Sequence, residues 1–136
     1  MEQLAVIIMG SVVDSSHADK IGSELKKLNI NYEQHIASAH KQPLKVLEII
    51  ESYKNRKKVV YITIAGRSNA LSGFVGANTN FPTLACPPFA DKLDMLVNIN
   101  STLQMPSDVP VMTVLEPVNV ALAVKRIFDL SSGLQS

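Results

Sequence analysis

A single cysteine, no tryptophan and an aromatic share of 5% characterise this 136-residue chain first by what it lacks. One thiol, Cys86, cannot close an internal disulfide and has no CxxC partner, so disulfide scaffolding, dithiol redox chemistry and cysteine-rich zinc sites lose their basis. No metal site is expected. Charge is also scarce: Asp, Glu, Lys and Arg make up 18% of the residues and nearly cancel, to a net +1, where an ordinary soluble domain carries about a quarter. Such a balance gives no broad footprint for nucleic acid. No apolar run approaches the ~20 residues of a membrane-spanning helix, and the passage from Met1 straight into a strand-like segment shows no basic region, apolar signal core or cleavage site. A cytoplasmic location is expected. The GxGxxG and GxxxxGKS/T spacings are missing too, which leaves neither a dinucleotide nor a P-loop ATP site indicated. With no internal repeat, low-complexity tract or linker, residues 1–136 are expected to form one domain.

What is present is apolar and regularly punctuated. Hydrophobic residues reach 46% and the mean hydropathy is +0.15, high for a soluble monomer, so part of the surface is expected to be buried between subunits. Leu4 to Met9 is a continuous apolar run of strand length, the pattern of a parallel strand covered on both faces. Ser15 and Ser16 are candidate caps for a helix whose Ala18, Ile21, Leu25 and Leu28 recur at spacings of three and four. Asn31 to Ile36 reads as a second strand, and Pro43 suits the first position of a helix with Val46, Leu47, Ile50 and Tyr53 on its buried face. Val59 to Ile64, rich in β-branched residues, is the clearest central strand. Thr83 to Cys86 and Val111 to Leu115 are further strands, and Asn119 to Leu130 is a helix apolar on most sides, suited to burial or an interface. Alternating strands and helices joined by short connections predict an α/β fold: a three-layer, doubly wound parallel sheet of flavodoxin or Rossmann type.

In such a sheet ligands bind beyond the carboxyl ends of the strands. Three loops fall there. Met9-Gly10-Ser11 offers close backbone approach and a hydroxyl, with Asp14 nearby as an acceptor for ribose-type hydroxyls. Ser38-Ala39-His40-Lys41 combines a small turn, an imidazole and a cation. Ala65-Gly66-Arg67-Ser68-Asn69 adds a second cation and more polar groups. A Gly-Ser after a strand is by itself more often a plain turn, and His17 in a helix's first turn and His35 within a strand suit surface or packing roles. His40 differs by standing at a strand exit, where a side chain of ordinarily near-neutral pKa can move protons. Together the loops favour a phosphorylated sugar or nucleotide over an apolar ligand.

Met9-Gly10-Ser11 with Asp14, Ser38-Ala39-His40-Lys41, Ala65-Gly66-Arg67-Ser68-Asn69-Ala70-Leu71, Cys86-Pro87-Pro88 and Met105-Pro106, in that order, resemble the PurE family across nearly the whole chain. Family members act on aminoimidazole ribonucleotide (AIR) in de novo purine synthesis. Lys41, the Ala-Gly-Arg-Ser-Asn run, Cys-Pro-Pro and Leu115-Glu116-Pro117 resemble class II, which adds carbon dioxide directly, rather than class I, which rearranges the N-carboxyamino isomer. The resemblance therefore implies AIR carboxylase activity with no cofactor, neither biotin, ATP nor metal. It implies His40 as the proton shuttle, Ser38 and Lys41 as phosphate ligands, and Ser11 and Asp14 on the phosphate and ribose side, beside Gly10 and Ala39. Ala65, Gly66, Arg67, Ser68 and Asn69 would surround the ring and carbon dioxide. A symmetric homo-oligomer, octamer or tetramer, is implied as well.

Three departures from the family pattern carry expectations of their own. Val13 stands where the family usually has a serine, which should weaken substrate affinity. Met105-Pro106 lacks the glycine that commonly follows, and Ala90 to Ile99 reads as unusual, so a reshaped loop is expected there. The chain stops at Ser136, where family members usually continue through another helix that helps assembly, which would make the assembly smaller or weaker. The class I mutase reaction and a diverged nucleotide-binding module with little turnover are the alternative readings.

Overall fold

The computed structural model describes residues 2–133, so Met1 and the last three residues of the expected domain lie outside the described residues. Five parallel strands form one sheet in the order β2-β1-β3-β4-β5. They are β1 Gln3–Met9, β2 Tyr32–Ile36, β3 Lys58–Ile64, β4 Thr83–Ala85 and β5 Met112–Thr113. The helices that join them are α1 Ser15–Lys27, α2 Pro43–Tyr53, α3 Ala70–Ala77 and α4 Lys92–Leu103, with α5 Pro117–Ser131 closing the chain. The strand order is that of flavodoxin-like proteins, and the expected α/β class is observed.

Alternation along the two central strands decides the layers, because successive side chains point to opposite faces. On one face Ala5, Ile7 and Met9 of β1 and Val60, Ile62 and Ile64 of β3 pack with Ala18, Ile21 and Leu25 of α1 and Val120, Val124 and Phe128 of α5. On the other, Leu4, Val6 and Ile8 with Val59 and Tyr61 pack against Val46, Ile49 and Ile50 of α2 and Leu71 and Val75 of α3. Both faces of β1 are dry. That is why its sequence is uniformly apolar rather than alternating.

Several local expectations are corrected. Ser15 and Ser16 do not cap α1 from outside but begin it, after a 3₁₀ turn over Val12–Asp14 that Ser11 caps by accepting the Val13 N–H at 3.3 Å. The strand expected over Val111 to Leu115 shrinks to Met112–Thr113 at the sheet edge. The segment read as an unusual loop from Ala90 holds a regular helix, α4, capped by the Asp91 carboxylate at the Asp94 N–H. Leu93, Leu96 and Val97 of α4 are 70%, 65% and 65% exposed, and Thr102 is its one buried residue. The apolar stripe of α4 faces solvent, whereas α5 buries Val120, Ala121, Val124 and Phe128 within the chain. Among the described residues, no helix is long and apolar enough to cross a membrane.

Candidate functional site

The strand order reverses its direction of winding at β1, whose neighbours β2 and β3 lie on opposite sides. The chain therefore opens a crevice at the carboxyl ends of β1 and β3. Backbone hydrogen bonds lace the roots of the loops there: the Ala37 N–H donates to Met9 O at 2.9 Å, and the Gly10 N–H donates to Ile64 O at 3.0 Å. The result is a cleft of about 510 Å³.

Its walls bring together nearly all the residues singled out in the sequence. Gly10, Ser11 and Asp14 come from the β1 exit, Ser38, Ala39 and His40 from the β2 exit, and Ala65, Gly66, Arg67 and Ser68 from the β3 exit. A Cβ on Gly10 would meet nothing nearer than Ile64 O at 3.8 Å, so the protein itself does not require glycine there and the open backbone faces the cleft. Gly66 is different. A Cβ on it would come within 2.8 Å of Pro88 O, so only glycine lets the β3 loop lie against the Cys86-Pro87-Pro88 segment. Burial pushes the half-buried Asp14 carboxyl above the usual carboxylate range. The Ser38 hydroxyl accepts the Lys41 N–H at 3.1 Å and Ser38 O accepts the Gln42 N–H at 2.7 Å, a tight turn that lifts His40 to an exposed position on the cleft wall.

Two expected residues stand apart. The Lys41 side chain is exposed but does not line the cleft, and Asn69 is buried as the N-cap of α3, its Oδ1 accepting the Ser72 N–H at 3.0 Å. Conversely, Ala70, Leu71, Pro88 and Asp94 join the lining, as does the exposed Val13. Asp94 lies on a helix with no core-facing pattern in the sequence, and the Asp-x-x-Asp spacing of its cap is the signal that marks it. The Ala90 N–H at 2.8 Å and the Asn98 side-chain amide hold the Asp94 carboxylate below its usual range, with a smaller contribution from Arg67.

A larger groove of about 930 Å³ runs between α1, α4 and the start of α5, past His17, Lys20, Met95 and Val118. Its histidine is structurally engaged: His17 Nε2 lies 3.0 Å from Cys86 O. The adjoining Cys86 thiol is buried and pushed up to about 12, mainly by desolvation, with Glu116 adding to the shift, so it is no thiolate nucleophile. His35 is engaged too, 2.6 Å from the Tyr53 hydroxyl, which donates to Glu33; His35 Nε2 therefore donates to the phenol oxygen. Of the three histidines, His40 is the one that combines exposure with a place in the smaller cleft. Among the described residues no group of three or more His, Cys, Asp or Glu is arranged to hold a metal ion.

The family model described as AIR carboxylase matches residues 4–134. A phosphoribosylaminoimidazole carboxylase of Archaeoglobus fulgidus is 54% identical over 126 residues, which span 93% of this chain and 69% of the relative. A protein of the same name from Treponema denticola is 48% identical over 132 residues, 96% of this chain and 82% of the relative. The crystal structure of Treponema denticola PurE superposes with a TM-score of 0.88 at 47% identity, over 94% of this chain and 81% of that one.

Proposed function

The chain belongs to the AIR carboxylase family, and on that premise we propose that it joins carbon dioxide to 5-aminoimidazole ribonucleotide, forming the 4-carboxy ribonucleotide in de novo purine biosynthesis. The observation that carries this reading is the meeting of the three strand-exit loops in one cleft, with the His40 imidazole on its wall. The names of the relatives favour direct carboxylation over the mutase reaction and over a binding module without turnover.

The chemistry follows from the substrate class. An aminoimidazole ring is enamine-like, so its C4 electron pair attacks carbon dioxide, a C–C bond forms, and one C=O electron pair moves onto oxygen to give a carboxylate. The ring carbon then carries both carboxylate and hydrogen. His40 takes that proton and the C–H electron pair restores aromaticity; in reverse His40 returns the proton, the C–C bond breaks and carbon dioxide leaves. Ring electron density drives the step, so it calls for no biotin, ATP or metal. Ser11 and Ser38 hydroxyls and the Gly10 backbone would hold the phosphate with Lys41 reaching in from the rim, Asp14 would accept from the ribose, and Ala39 and the Ala65 to Ser68 loop would shape the ring and carbon dioxide site. Asn69 enters this account through the loop rather than through the ligand. Holding carbon dioxide beside the ring is chiefly a positioning task.

The exposed stripe of Leu93, Leu96 and Val97 supports self-association of this protein, which would cover it. A homo-oligomer, octamer or tetramer, working in the cytoplasm is part of the proposal. The test is a spectrophotometric assay of purified protein with AIR and carbon dioxide, run beside the N-carboxyamino isomer. Turnover of AIR with carbon dioxide is expected; turnover of the isomer alone would transfer the protein to the mutase class, and binding without either reaction would overturn the enzymatic reading.

A further inference from the structure

Asn69, an expected ligand, does not line the cleft, and its side chain makes three hydrogen bonds inside the protein, with both of its donors used. Its Oδ1 accepts the Ser72 N–H at 3.0 Å, and its two Nδ2 hydrogens go to Ser72 Oγ at 2.8 Å and Thr102 Oγ1 at 2.9 Å. Its backbone N–H donates to Ser101 Oγ at 2.9 Å, which in turn donates to Asn98 O at 3.1 Å. Ser72 Oγ continues to Thr63 Oγ1 of the central strand at 2.6 Å. Asn69 is 4% exposed, Thr102 1%, and Ser72 and Thr63 are fully enclosed. A buried polar network this complete gives a segment a single geometry.

What it holds is the preceding turn. Ser68, on the cleft wall, has φ of 50°, a left-handed conformation disfavoured for residues with a Cβ, and its carbonyl accepts the Ala70 N–H at 2.8 Å, a tight turn closed over Asn69 itself. Such a conformation persists where its surroundings over-determine it. The other end of the latch is α4, whose one buried residue is Thr102. A polar residue is thus the buried anchor of a helix whose Leu93, Leu96 and Val97 face outward. The first turn of α4 supplies Asp94 to the cleft, beside Arg67. One helix therefore lines the cleft with its start and holds the β3 loop by hydrogen bonds at its end.

We propose that Asn69 is a positioning residue of the carboxylation site, which fixes the Arg67–Ser68 turn by clamping it to Thr102 and Ser101 of α4 and to Ser72 of α3. The proposal rests on the reading of the cleft as the AIR and carbon dioxide site. Under that reading the phosphate is held by other loops, so loosening the latch disturbs the ring and carbon dioxide side and leaves anchoring intact.

Thr102→Val tests this from outside the cleft, since it keeps shape and removes the hydroxyl that accepts from Asn69. The variant is expected to lose about tenfold in kcat with KM for AIR within about twofold. Amide hydrogen exchange at Asn69 and Ser72 is expected to accelerate about tenfold, with Val6 and Ile62 unchanged. Thr102→Ser should restore both. Ile49→Val, a core substitution under α2, should leave kcat and the exchange of the Asn69 amide as they are. Unchanged kcat and exchange in Thr102→Val, failure of Thr102→Ser to restore them, or an equal kcat loss in Ile49→Val would each overturn the latch. If Thr102→Val does not fold, Ser101→Ala takes its place with the same expectations. If the parent protein does not turn over AIR, the substrate reading fails, and the exchange measurements alone decide whether the latch exists.

Discussion

The loop after β2 presents an exposed histidine on a turn closed by two local hydrogen bonds, from the Lys41 and Gln42 N–H groups to Ser38. The loop after β3, across the same cleft, is held from beneath by a buried side-chain amide, by the α4 hydroxyls and by the close approach of Gly66 to Pro88. The first arrangement leaves an imidazole exposed on the cleft wall. The second sets a shape and keeps it. A reaction that needs one proton moved and one small molecule held beside a ring calls for both kinds of loop.

The largest expected effect breaks the chemical side of this comparison. His40→Asn should lower kcat by about 10³-fold, in the range ordinary for loss of a positioned acid-base group, while calorimetry shows AIR binding within a few-fold of the parent. Normal turnover would remove His40 as the proton carrier. Breaking the shaping side comes next: Gly66→Ala must push the loop off Pro88 O, which a Cβ would approach to 2.8 Å, and a displacement of this kind is expected to cost ~10 to 10²-fold in kcat/KM. Parent-like kinetics would show that the packing of the β3 loop on Pro88 is dispensable.

Smaller effects sharpen the division. Lys41→Ala removes an exposed cation at the rim and should raise KM for AIR ~3 to 10-fold with kcat retained, less so at high salt, where such attraction is screened; an unchanged KM at low salt would exclude a phosphate contact. Asp14 gives the smallest effect, and its sign is definite. Its folded pKa is raised by burial, so the folded state binds a proton more readily than the unfolded one, and stability falls as pH rises from the ordinary carboxylate pKa through the raised value. Asp14→Asn removes that penalty. Denaturant unfolding should find the variant more stable at pH 7, by no more than about 0.5 kcal/mol for so partly buried a group, with the gain vanishing below the ordinary carboxylate pKa. A loss of stability at pH 7 would show that the carboxylate is held by favourable contacts instead.

The parts of this molecule that were legible in its sequence are those where burial and periodicity agree. β1 and β3 are enclosed on both faces, so their apolar runs announce both the strands and the parallel sheet. The two loops at their exits were legible because glycine, serine and charge interrupt those runs abruptly, and the loop after the half-exposed β2 was legible from its Ser-Ala-His-Lys turn. α4 was not, because its apolar positions face solvent and its anchor is the hydroxyl of Thr102, so no core-facing pattern marks it. Asn69 misleads for a related reason. A polar residue beside a site reads as a ligand, and only the fold reveals that its partners lie 32 and 33 residues further on, in Ser101 and Thr102. Ser15 reads as a cap because the 3₁₀ turn before it leaves no mark in composition.

On the proposed function the smaller cleft at the strand exits receives the substrate, and the larger groove beside α1 does not. Titration of the protein with AIR, followed by amide resonances, tests it most directly. Saturable shifts at Gly10, Ser38, His40, Gly66 and Ser68, with Lys20, Met95 and Val118 unmoved, are the predicted result; shifts confined to Lys20, Met95 and Val118 would contradict it.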